Sequence, residues 1–440
     1  VYGDVNFHSG SNYQREIQLE LINGHYTLLK PDNNMNEILL KDKVKKFGKE
    51  REILIYVKFN SKYQTFDGKE YNIYEEKEFN NILYKSYSPY HFVKCDVLLK
   101  DEYDEVKDRM KKKYLNYEKD IDEIKTCNIN NGFKINPLLF GNLKKCVLYY
   151  IYYLDGLVNV DSDPIDTLEA EFIKNSFMGG LLNCKKGKYS DISCYDVNSM
   201  YPYALKKFSF PLKEGEFLKM DELGEIVSFG IYRCNITGNI DKNLFRVNPT
   251  NYYTHYDINN ALSLGYNVEL IQHNQANALI YSSETRINGS SIFKRYIEHF
   301  YNLKKALKGN TTAKLLITIV WGILCQKSYI QESIVNCDSL DKLVEHYPDK
   351  DGNLVGKFFK NRTMYKYNTA RIGSFLTSYT RKYMANIMKP YTEQILRVHT
   401  DGFIVKGKLD IELSKELGKI KLEYEADNID IKNVMEVIKL

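Results

Sequence analysis

Two short apolar runs, Ile395 to His399 and Phe403 to Lys406, are separated by the dipeptide Asp401-Gly402. Apolar runs of strand length around Asp-Gly predict a β-hairpin. A carboxylate then sits at the tip of a half-buried ribbon, where it can ligate a metal. A plain Asp-Gly turn gives the same pattern. A further strand, Ile192 to Val197, ends at the polar step Asn198-Ser199, where a helix begins. Asp196, at the end of that strand, projects into a cleft, and the backbone N–H groups of the turn after it can face a phosphate. An ordinary strand-to-helix junction, with Asn198 or Ser199 as N-cap and Tyr201 in the core, stays open. Lys314, Thr318 and Trp321 fall at i, i+4 and i+7, on one helix face. Such a face can grip a triphosphate and stack on a base, or it is a core helix whose lysine snorkels to the surface.

At 440 residues the chain is too long for one compact core and predicts two or three lobes. Its 27% charged and 43% hydrophobic residues exclude a disordered chain. Lys and Arg exceed Asp and Glu by 62 − 57 = 5, too few to argue nucleic-acid binding from net charge. Local clusters carry more: Lys43, Lys45, Lys46; Arg109, Lys111, Lys112, Lys113; and Lys304, Lys305, Lys308. Each can track a phosphate backbone, or form a solvated helix face. The eight cysteines have no CxxC pair or metal-ligand spacing and predict buried thiols in a reducing compartment, with a cytoplasmic setting. The longest apolar runs are too short to span a bilayer, so no membrane partner is expected. The chain begins with Val, which predicts a processed protein or a fragment.

Taken in order, Asp196-Val197-Asn198-Ser199-Met200-Tyr201-Pro202, then Lys314 with Trp321-Gly322, then Thr400-Asp401, resemble motifs A, B and C of family B DNA polymerases. Met178-Gly179-Gly180 after Phe177 resembles the Tyr-x-Gly-Gly motif of the protein-primed branch. The segment Ile372 to Arg381 resembles that branch's helix leading into motif C. The resemblance runs from roughly Phe177 to Glu425. It implies an α+β right hand: an antiparallel palm sheet, helical fingers, a reduced or missing thumb and an N-terminal α/β domain. The boundaries it implies are an N-terminal exonuclease-like domain, degenerate or truncated, over 1–165; palm with a priming-protein insertion over 166–290; fingers over 291–326; a strand-rich insertion over 327–371; and palm with the start of a thumb over 372–440.

The resemblance also implies roles. Asp196 and Asp401 would be catalytic, holding two magnesium ions (Mg2+, with Mn2+ as a substitute) together with Val197. Tyr201 would exclude a ribose 2′-OH. Lys314, with Lys304, Lys305 or Lys308, would contact the triphosphate, and Ser199, Thr318 and Trp321 would lie at the nucleotide. Phe177, Gly179, Gly180, Thr377 and Arg381 would contact DNA. The implied partners are a DNA primer-template, dNTPs, a terminal priming protein, and another chain completing the thumb or exonuclease. The chain departs from the pattern at His399, where motif C has Asp, and at Thr318, Ile319 and Trp321, where motif B has Asn, Ser and Tyr. An exonuclease Asp-x-Glu is missing near the start; Phe66-Asp67-Gly68 and Asp155 only resemble its later motifs. These departures motivate a rival reading, a polymerase-like protein with lost or template-independent synthesis.

Overall fold

The computed structural model describes residues 19–22, 25–28, 49–85, 88–96, 102–127, 135–155, 163–272, 275–327, 329–333, 343–348, 354–359 and 364–440. Lys43, Lys45 and Lys46 lie outside them. The chain divides into two compact units: Val1–Met110 with Pro137–Asn142, and Lys111–Asn136 with Leu143–Leu440.

The first unit is built on a four-stranded sheet in the order Tyr71–Tyr74, Lys62–Phe66, Glu52–Phe59, Tyr90–Lys94. The first three strands are antiparallel, and Tyr90–Lys94 runs parallel to Glu52–Phe59. A parallel pair needs a crossover, here the helix Glu76–Leu83. Its buried Phe79 stacks on Tyr63 with centroids 4.3 Å apart. Phe66-Asp67-Gly68 is a hairpin turn: Asp67 Oδ1 accepts from the N–H groups of Lys69 and Glu70 at 2.8 Å, and Gly68 has φ +97°. That carboxylate is spent on its own turn.

The boundary expected at residue 165 falls elsewhere. The later part of the Tyr103–Thr126 helix and the Leu143–Asp155 helix belong to the second unit. Both are tied to the expected fingers. Tyr150 packs edge-on against Phe300. Asp120 Oδ2 accepts from the Thr312 N–H at 2.9 Å and from the Thr311 hydroxyl at 2.6 Å, at the start of the Thr311–Thr318 helix.

The second unit is organised by a six-stranded antiparallel sheet in the order Val437–Lys439, Ile420–Ile431, Gly187–Val197, Gly402–Lys406, Ile395–His399, Leu182–Cys184. Alternation along the strands sorts its two faces. Tyr195, Val197, Phe403 and Val405 pack with Met384, Ala385 and Met388 of the Arg371–Met388 helix, whereas Ile192, Cys194, Ile404 and Ile429 form a separate cluster. This sheet and helix match the expected palm, and the helices Gly289–Ala306, Thr311–Thr318 and Val320–Leu324 match the expected fingers. A smaller sheet is formed by Glu216–Leu218, Gly230–Thr237, Tyr252–Thr254, Asn267–Leu270 and Ala278–Ile280. The segment expected to be strand-rich carries three antiparallel strands, Tyr329–Ser333, Leu354–Phe359 and Leu343–Pro348 in that order across the sheet. No helix of the described residues is long and apolar enough to cross a membrane.

Candidate active site

The antiparallel register brings the two motif carboxylates together. Asp196 is paired with Gly402, the neighbour of Asp401, and the Val197 N–H donates to the Asp401 carbonyl at 2.8 Å. The turn itself differs from the Asp401-Gly402 expectation. His399 pairs with Gly402, so Thr400-Asp401 forms the two-residue turn, with Thr400 at φ +59°, and Gly402 begins the return strand. A Cβ on Gly402 would lie 3.3 Å from the Tyr195 carbonyl and 3.6 Å from Asp196 Oδ1. The glycine therefore leaves room for the carboxylate.

Both carboxyls are pushed up from the ordinary range, chiefly by burial. For Asp196 the Asp401 charge adds to this and Lys421 opposes it. For Asp401, Lys314 and Lys421 oppose it and Glu423 adds to it. A half-buried pair of carboxylates, each raised by burial, gains from a cation placed between them. Asp196 and Asp401 could hold them; Val197, with its side chain buried, could contribute only its backbone. Among the described residues no group of three His, Cys, Asp or Glu side chains is arranged around one ion. His399 is half-buried, and burial followed by Arg397 lowers its value.

Lysines surround the pair. Lys421 Nζ lies 3.2 Å from Asp196 Oδ2 and also binds Glu423. Lys304 Nζ donates to the Ser199 hydroxyl at 2.8 Å; its value is lowered by burial, then by Lys314 and Lys421. Ser199 occupies the N-cap position in a left-handed conformation, φ +52°, but makes no capping bond; its hydroxyl serves Lys304 instead. Asn198 Nδ2 reaches the Tyr301 hydroxyl at 2.7 Å and the Lys415 carbonyl at 2.6 Å, tying this turn to the fingers helix and to the loop before Gly418. Lys308 is exposed past the end of that helix, and nothing draws it to the carboxylates.

Tyr201 is half-buried in a ring stack. Trp321 lies 5.3 Å from it, planes 24° apart, and Phe177 also stacks on the indole at 6.1 Å. The single helix face expected for Lys314, Thr318 and Trp321 is interrupted, since Thr311–Thr318 and Val320–Leu324 are separate helices meeting at Ile319. The Thr318 hydroxyl donates back to the Lys314 carbonyl at 3.1 Å, a bond that bends helices.

Two residues expected at DNA lie inside the protein. Thr377 is buried and donates to carbonyls of its own helix. Arg381 is buried, holding both oxygens of Asp257 at 2.9 Å and donating to the carbonyls of Met178 and Gly179 at 2.8 and 2.9 Å. Arg246 donates to the Gly180 carbonyl at 2.7 Å. Thus two guanidinium groups shape the Gly-Gly loop, while Phe177 and Gly179 remain exposed on it and Gly180 is buried against Thr400. Sequence reading missed Lys421, Arg246 and Asp257. Only Lys421 had a signal, its place just after Leu417-Gly418.

Residues 164–322 match the family described as DNA polymerase type B, organellar and viral. A probable DNA polymerase of Neurospora intermedia is 28% identical over 57% of this chain and 29% of its own length. The DNA-directed DNA polymerase of Enterobacteria phage PRD1 is 25% identical over 61% of this chain and 50% of its own. The chain thus spans half or less of the length of these relatives. Phi29 DNA polymerase, solved with primer-template DNA and incoming nucleotide, shares the fold with a TM-score of 0.51 over 89% of this chain and 90% of that one, at 12% identity. With the motif order and the palm geometry, these likenesses agree: over residues 164–322 the chain is similar to the family B DNA polymerases of the organellar and viral kind.

Proposed function

We propose that this chain catalyses template-directed DNA synthesis, extending a primer by nucleotidyl transfer. The observation that carries the reading is Asp196, near the end of one palm strand, standing beside Asp401 in the turn that leads into the neighbouring strand, with Lys304, Lys314 and Lys421 around them. Asp196, Asp401 and the Val197 backbone would hold Mg2+ or Mn2+. Such ions supply activation of the attacking hydroxyl and charge neutralisation at the phosphates. The protein's own part is positioning and electrostatics. Lys304 and Lys314 receive the triphosphate, Tyr201 sets the limit on the sugar, and Trp321 supports the Tyr201 ring. Phe177 and Gly179 face the template.

The finer assignments are proposals of the same reading. Deoxynucleoside triphosphates and a primer-template are the partners, and a terminal protein hydroxyl is a candidate primer. The sheet around Gly230–Thr237 is the candidate dock for that protein, and the three strands within 329–359 the candidate clamp on DNA. A cytoplasmic, reducing setting suits the buried thiols of Cys146 and Cys234. The first unit contributes no nuclease chemistry through Asp67, whose carboxylate closes a turn.

Primer extension tests the proposal. Wild-type protein should extend a labelled primer with Mg2+ or Mn2+, and Asp196→Asn and Asp401→Asn should abolish it. No extension with either ion overturns the reading. His399 and the altered motif B favour the second reading, synthesis without a template; extension that persists when the template strand is omitted supports it.

A further inference from the structure

Lys421 has no role in the motif pattern, yet it makes the direct ion pair to a motif carboxylate. Its strand, Ile420–Ile431, pairs with the motif A strand so that Lys421 stands opposite Asp196. Opposite residues of an antiparallel pair present side chains to the same face at close range. The ammonium lies 3.2 Å from Asp196 Oδ2, and the same ammonium binds Glu423.

Glu423 reaches it because it stands two residues along the same strand, and residues i and i+2 of a strand share a face. Leu422 pairs with Tyr195 and Tyr424 with Cys194, so the register shifts by one residue at Glu423. Its charge is felt at both Asp196 and Asp401. The palm edge therefore holds three carboxylates, only two of them in the motifs, and one ammonium shared between a motif carboxylate and Glu423.

We propose that Lys421 is the site's built-in counter-cation: it holds Asp196 when no divalent ion is bound, and moves to Glu423 alone when one binds. This rests on the reading of Asp196 and Asp401 as a cation site. Two carboxylates left side by side in a half-buried cleft repel each other, and an internal ammonium relieves that repulsion. A divalent ion entering beside Asp196 meets an ammonium of like sign, which must leave. Glu423 offers it a partner within the same strand, so it need not be released to solvent.

The test is Mn2+ binding by the full chain, without DNA or nucleotide, read from the free-ion electron paramagnetic resonance signal. Lys421→Met should tighten Mn2+ binding about tenfold, because the competing charge is gone. Glu423→Gln should weaken it, because the displaced ammonium has lost its acceptor. Unchanged or weaker binding in Lys421→Met overturns the proposal, and unchanged binding in Glu423→Gln overturns the transfer to Glu423. Thermal melting supplies a second readout. Lys421→Met should melt lower than wild type in EDTA and gain more from added Mn2+. Lys421→Gln serves if the methionine variant fails to fold. Asp401→Asn separates the premises: Mn2+ binding that survives it removes the cation-site reading itself, whatever Lys421 does.

Discussion

The indole of Trp321 stacks on the ring of Tyr201, centroids 5.3 Å apart and planes 24° apart, and Phe177 stacks on the same indole at 6.1 Å. A residue from the fingers thus supports the ring that ends motif A. Trp321→Ala removes an aromatic contact of about 1 kcal/mol. If Tyr201 limits the sugar, the ratio of deoxy- to ribonucleotide incorporation should fall about fivefold, while Trp321→Phe should keep most of it. An unchanged ratio in the alanine variant would sink the role of the stack. Since this is the chain's single tryptophan, its emission also reports the stack: Tyr201→Ala should shift it.

The two glycines of the loop after Phe177 should respond differently to alanine. A Cβ on Gly180 would lie 2.9 Å from the Thr400 Cα, backbone of the turn that carries Asp401, whereas one on Gly179 meets only the far end of Arg246 at 3.4 Å. Gly180→Ala should displace that turn and reduce primer extension at least tenfold, on the rule that about 1.4 kcal/mol is a factor of ten. Gly179→Ala should stay near wild type in the same assay. Equal losses in the two variants would contradict a steric cause.

Arg371 and Glu169 form a fully buried pair. Two nitrogens of the guanidinium reach the two carboxylate oxygens at 2.6 Å, and Tyr281 donates to the same carboxylate at 2.8 Å. The pair joins the Thr167–Ser176 helix to the start of the Arg371–Met388 helix. Glu169→Gln leaves the arginine charge without its carboxylate and should cost about 3 kcal/mol in urea unfolding. Replacing both members with apolar residues, Glu169→Leu with Arg371→Met, should recover part of that loss. A single variant as stable as wild type would show that the neighbouring carbonyls suffice for Arg371.

Acid should destabilise the second unit through His255. Burial, then Lys382 and Arg286, lower its value from 6.5 to about 3, and its ring packs against both Phe229 and Tyr256. The folded protein keeps this imidazole neutral, while the unfolded chain protonates it below about 6.5. Its contribution is therefore complete above pH 6.5 and is lost as pH falls toward 3, at up to ~1.4 kcal/mol per pH unit. His299, lowered to about 4 by burial, acts in the same direction. Urea unfolding at pH 7.5 and 5.5 should show the drop, and His255→Phe should flatten it.

Much of this was legible in the chain. The Ile395–Lys406 ribbon and the strand carrying Asp196 follow from local apolar patterns, which need no distant partner. The helix expected over Ile372 to Arg381 extends over Arg371–Met388, and Glu169 holds Arg371 inside at its start. The one-residue shift of the hairpin turn was not legible, since Asp401-Gly402 and Thr400-Asp401 differ only in how the ribbon pairs. Arg381 was expected at DNA from its place in a motif helix. Its burial depends on Asp257, whose helix packs against that one only in the folded chain.

By itself, the sequence determined which carboxylates could act: Asp196 and Asp401 each stand at a strand end or turn written into their own neighbours. Tertiary structure decided what surrounds them. The antiparallel register of Ile420–Ile431 set Lys421 opposite Asp196, and with it Glu423, two residues further along on the same strand, which binds the same ammonium. Strand ends are local consequences of composition, whereas charge pairing across a sheet depends on a register fixed only when distant strands meet.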